Sequence, residues 1–185
     1  MSERMNQPSV LTLWYKPAQT MQGLIENGRG HRLALVVAVF FGLVQAGRVY
    51  MANPEPGYAG FALGSLAGLL GLYFLAWLLR NFGRWFGGQA SQQDLRVALG
   101  WGLLPWLFLF LALVFVLSSG ADAAALANYY WLFFLGFLYG YVILLLSLAA
   151  ALRVSVWKAF FCLMVTFLVS IFPFTLLIQI FVSFV

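Results

Sequence analysis

Charge is what this chain has least of: only 8% of its 185 residues are Asp, Glu, Lys or Arg, too few to cover a soluble globular surface. It also holds one histidine and one cysteine. Cys162 stands alone inside an apolar stretch, which excludes an intramolecular disulfide and a thiol ligand set for a metal. His31 sits beside Arg32 with no cysteine or carboxylate at ligand or triad spacing, so it reads as an interfacial residue and not as an acid, base or ligand. No H-E-x-x-H, C-x-x-C, phosphate loop or paired intramembrane carboxylate is present. Haem, zinc, nucleotide and proton-relay sites therefore lack their ligands, and the expectation is a protein that is not an enzyme and carries no cofactor or metal.

What the chain does have is apolar length, with 64% hydrophobic residues. Five stretches, at residues 33–50, 57–79, 95–117, 127–152 and 156–185, are each long enough to cross a hydrocarbon layer of about 30 Å. They predict an all-α, polytopic membrane protein of five transmembrane helices. The expected division is a cytoplasmic arm over residues 1–32, with an amphipathic helix, and a membrane domain over 33–185. Because the first apolar run follows about thirty residues and exceeds a signal-peptide h-region, it should stay as an anchor.

Basic residues occupy every second joint between these stretches. Arg4, Lys16, Arg29 and Arg32 precede the first, Arg80, Arg84 and Arg96 flank the second joint, and Arg153 and Lys158 flank the fourth. The other joints carry Glu55 and Asp122, and Arg48 is the one basic residue on that side. With Glu3, Glu26 and Asp94 the basic side sums to 9 − 3 = +6, and the other to 1 − 2 = −1. Lys and Arg are retained in the cytoplasm during insertion, so the amino terminus should be cytoplasmic and the carboxyl terminus outside. Basic residues sorted by membrane side do not form the soluble patch that nucleic acid requires.

Ahead of the first span, Val10, Trp14, Pro17, Met21, Leu24 and Ile25 recur at helical spacing, with Lys16, Gln19, Gln22 and Glu26 between them. This reads as an amphipathic helix lying on the cytoplasmic lipid interface, with docking on the bundle as the alternative. Pro17 suits its first turn and Asn27-Gly28 its end. Gly57, Gly60, Gly64, Gly68 and Gly71 form a strip of small residues on span two, expected to pack inside the monomer more than across a dimer seam. Arg80 and Arg84 mix with Phe82, Trp85 and Phe86 in the longest internal joint, which suits anionic headgroups. Ser91 with Asp94 marks a helix start, and Pro105 and Pro173 each remove one hydrogen bond within a span. Trp14, Lys16, Arg80, Arg84 and Trp85 are thus the candidate contacts for lipids or a partner.

Inside the membrane, Gln45 and Arg48 share one face of span one, and Thr175, Gln179 and Ser183 one face of span five. Gln45, Arg48 and Gln179 form a candidate polar site for a lipid headgroup or small anion. The alternative is that Arg48 snorkels outward or pairs with Glu55.

Three segments in this order, Trp14-Tyr15-Lys16-Pro17 with Thr20 and Leu24, Gly87-Gly88 with Leu95, Gly100 and Pro105, and Ser155-Val156-Trp157-Lys158-Ala159, resemble the Yip domain family of Ypt/Rab-interacting membrane proteins, in particular its short bacterial branch. The resemblance implies five membrane helices with a cytoplasmic amino terminus, in the inner membrane if the source is bacterial. In eukaryotic relatives it implies vesicle traffic and contact with prenylated Rab GTPases. This chain lacks their long amino-terminal region and Asp-Leu-Tyr-Gly-Pro motif, so a Rab-type GTPase is not the expected partner. Membrane lipids, a second copy or another membrane protein are. The reading that follows is a non-enzymatic scaffold or adaptor, with a small transporter, channel or lipid-handling protein built around Arg48 as the alternative.

Overall fold

A computed structural model of the chain describes residues 10–28, 30–52, 57–120 and 127–183; side chains at 10, 52, 174 and 176–183 are not described. Among the described residues there are eight main helices and no strand: α1 (Val10–Leu13), α2 (Pro17–Glu26), α3 (His31–Ala52), α4 (Ala59–Trp85), α5 (Gln92–Gly102), α6 (Leu104–Ser118), α7 (Tyr130–Leu152) and α8 (Val156–Ser183). Five segments are long and apolar enough to cross a membrane: His31–Met51, Ala59–Trp85, Gln92–Ser118, Tyr130–Leu152 and Val156–Pro173. They coincide with the five apolar stretches, and the third comprises α5 and α6 together. The 27 residues of α4 rise roughly 40 Å, more than the hydrocarbon needs, so the helix carries Arg80 and Arg84 past the apolar layer.

Local chemistry accounts for the helix ends. Ser91 and Asp94 close a reciprocal capping box, the Asp94 N–H donating to Ser91 Oγ at 3.1 Å and the Ser91 N–H to Asp94 Oδ2 at 3.0 Å. Pro105 lies in the first turn of α6, where its missing N–H removes the bond that would have fused α5 and α6 into one helix. Helix α8 instead runs through Pro173 without interruption. Asn27 ends α2 by donating from Nδ2 to the Gly23 carbonyl at 2.7 Å, followed by Gly28 at φ +61°.

The amphipathic arm does not lie on the interface as expected but docks on the bundle, because its apolar face is covered by the membrane helices. Pro17, Thr20, Met21 and Leu24 are buried where α2 packs on α7 and α5. Leu13 and Met21 belong to the same core as the membrane helices. At its outer end, the Trp14 ring stacks on Tyr139 with centroids 6.0 Å apart, and the Tyr139 hydroxyl donates to the Trp14 carbonyl. Tyr139 lies roughly 20 Å of rise from the end of α7 at Leu152, so the arm reaches well along the bundle.

The glycine strip packs within the monomer, on α3. A Cβ at Gly42 would fall on the Gly64 carbonyl, one at Gly64 would come within 2.7 Å of the Ala46 Cβ, and one at Gly68 would collide with the Ala38 carbonyl. Two indoles lock other crossings: Trp101 Nε1 donates to Gly30 at 3.1 Å, and Trp106 Nε1 to the Phe137 carbonyl at 3.0 Å.

Burial is concentrated toward the end that carries the basic joints. Buried positions on α4 fall between Leu72 and Gly83, on α6 between Leu104 and Trp106, and on α7 between Gly140 and Leu152. The opposite half of α7, from Tyr130 to Tyr139, is largely exposed, as an aromatic belt and lipid-facing wall would be. The bundle is therefore packed at its basic end and opens toward the far end.

Candidate lipid and partner interface

Two chain reversals build the basic end. Helix α4 ends with Gly87 N–H bonded to the Arg84 carbonyl and Gly88 N–H to that of Gly83, with Gly87 left-handed at φ +86°. Helix α7 ends the same way: Arg153 N–H bonds to Ala150, Val154 N–H to Ala149, and Arg153 itself is left-handed at φ +57°. Both are Schellman closures. The two joints are then tied by the Gln89 N–H donating to the Leu152 carbonyl at 3.2 Å.

This tie brings the two joints, with their exposed side chains, together at the same end of the bundle. Trp85 is 76% exposed and Trp157 74%, with Arg84, Arg153 and Lys158 also exposed. Each tryptophan is steadied from below, Trp85 edge-on to Phe82 at 5.0 Å and Trp157 edge-on to Phe160 at 6.3 Å. Among the described residues no carboxylate pairs with these cations, and Asp94 is already held in its capping box. Exposed indoles beside unpaired cations form a surface suited to phosphate headgroups.

The residues singled out from sequence are divided by this geometry. Arg84 and Trp85 are exposed at the basic end, and Lys16 is exposed where the chain enters α2. Arg80 is half-buried, with its Nε enclosed and without a hydrogen-bond partner among the described residues. Trp14 is half-buried against Tyr139 and Phe108, which makes it a clamp for the arm. Sequence reasoning did not place Arg153, Trp157 and Lys158 in the interface. The signal was a second joint that carries a tryptophan between two basic residues, but the hydrogen bond that joins it to the first is a backbone one.

At the far end, Arg48 Nη1 donates to Gln45 Oε1 at 2.8 Å and its guanidinium carbon lies 4.8 Å from the centre of the Phe110 ring on α6. Gln45 and Arg48 are thus brought together as their spacing predicts. Helix α3 packs on α4, α5 and α6, whereas α8, which carries Gln179, packs on α4 and α7. The Gln179 side chain, like Glu55, lies outside the described residues.

Among known proteins, the family model described as the Yip1 domain matches residues 11–177. No match is found among curated proteins or solved structures.

Proposed function

The chain belongs to the Yip1 domain family, and from that premise we propose that this multi-pass membrane protein is a non-catalytic scaffold whose basic end gathers anionic lipid headgroups and offers that surface to partner proteins. The observation that carries the reading is that Arg84 and Trp85 of one joint and Arg153, Trp157 and Lys158 of the other are all exposed, with the two joints fastened by the Gln89–Leu152 hydrogen bond. An adaptor needs a fixed surface more than a reaction centre. The orientation expected from the basic joints puts this end in the cytoplasm, where the leaflet is anionic and a basic residue near the surface is worth about 1 kcal/mol.

Electron spin resonance of labelled phosphatidylglycerol and phosphatidylcholine in reconstituted vesicles tests the proposal. Wild type should prefer the anionic lipid, and the preference should weaken between about 0.05 M and about 0.5 M salt as the screening length shortens. The triple variant Arg84→Gln, Arg153→Gln, Lys158→Gln should lose most of it. Equal selectivity in wild type and triple variant would remove the basis for the reading.

A further inference from the structure

Beside the α3/α4 crossing, a trough separate from the exposed basic joints starts in the far half of the bundle and runs toward its middle. Its first part is a cavity of about 450 Å³ lined by Phe41, Gln45, Phe61 and Gly64. It shares Phe41, Ala67 and Gly68 with a second cavity of about 280 Å³, which continues past Gly71 into the core, where Leu79, Leu99, Trp106, Leu144 and Thr166 of α4 to α8 enclose it. From Gly60 to Gly71 the trough follows roughly 16 Å of helical rise, about the hydrocarbon depth of one leaflet. An apolar channel of that length, open to the bilayer side of the molecule, matches an acyl chain.

In the first cavity the polar lining side chains, Gln45 and Tyr50, stand toward the far end, and Gln45 is the residue that holds Arg48. A guanidinium has five N–H donors in one plane. Phe110 covers one of its faces and Gln45 takes one donor, so further donors in the plane remain for an oxyanion. Arg48 is half-buried, and the carboxylates among the described residues, Glu26 and Asp94, both belong to the basic end. A cation in this position is stabilised by an anion at headgroup depth.

We propose that the α3/α4 trough binds one anionic phospholipid of the far leaflet, with its phosphate on Arg48 and one acyl chain running from Phe61 toward Gly71. The charge selects the headgroup and the trough selects the chain. This site is separate from the basic end, so the two readings fail separately: the triple variant at Arg84, Arg153 and Lys158 should keep this lipid.

Native mass spectrometry of protein released from nanodiscs of mixed phosphatidylglycerol and phosphatidylcholine provides the test. Wild type should retain one phosphatidylglycerol per chain with about tenfold preference, the scale of one charge-assisted hydrogen bond. Arg48→Gln should bring the preference to about parity, and Ala67→Phe, at an exposed position that lines both cavities, should lower retention of both lipids. Excess inorganic phosphate should leave the lipid in place. Equal retention of the two lipids by wild type, an unchanged preference in Arg48→Gln, or displacement by inorganic phosphate, which marks a free-anion site, would each overturn the proposal. Should a variant fail to fold, photoactivatable phosphatidylglycerol on wild type decides: adducts at Val49 and Phe61 support the site, and adducts confined to other surfaces refute it.

Discussion

Arg153 occupies a left-handed conformation in a closure where α4 uses glycine for the same task. For a residue with a Cβ that conformation costs roughly 1 kcal/mol, and the Arg153 side chain it carries is exposed at the basic end. Backbone and charge can be separated at this one position. Arg153→Gly should raise thermal stability in detergent by about 1 kcal/mol while lowering the preference for anionic lipid. A gain in stability with lipid preference unchanged would assign Arg153 a purely local role. Arg48 presents the converse case, since its helix is unstrained and only its surroundings are unusual. Its pairing with Gln45 was legible from the spacing of three, but the Phe110 ring was not, because α6 approaches it from more than sixty positions away in sequence.

At the scale of elements, the arm is the part whose placement decides most. Met21 is fully buried between α2 and the membrane helices, so Met21→Ala should destabilise the whole bundle by about 2 kcal/mol or more, read as a lowered midpoint of denaturant unfolding. A helix resting only on lipid would leave that midpoint unchanged. The amphipathic pattern revealed that such a helix exists and which face is apolar, yet lipid and a protein groove are equally apolar covers for it. What selects the groove is Tyr139 on α7 meeting Trp14, a contact between residues 125 positions apart in sequence. Local signals carried further: Ser91 with Asp94 and Pro105 each mark in sequence a boundary that the structure places there, because capping and proline act within one turn. The glycines of α4 announce a close approach, and the partner strip on α3 is Ala38, Gly42 and Ala46, whose spacing of four is written mainly in alanine and so stands out less in an apolar span.

The molecule as a whole is asymmetric along its axis. Its core and, among the described residues, Arg32, Arg80, Arg84, Arg96, Arg153 and Lys158 lie toward one end, the docked arm runs from there along the bundle, and the other end opens into lipid-facing walls and the α3/α4 trough. Charge distribution made the five spans and their alternation readable, since insertion responds to composition and not to tertiary contacts. The account depends on the basic end being the cytoplasmic working face. Single-cysteine reporters in a Cys162→Ala background address it directly, one at Gln89→Cys and one at Ser119→Cys, both at exposed positions. With a membrane-impermeant maleimide, Ser119→Cys should label in intact cells and Gln89→Cys only in inverted membrane vesicles. Labelling of Gln89→Cys in intact cells, with Ser119→Cys protected, would contradict the account.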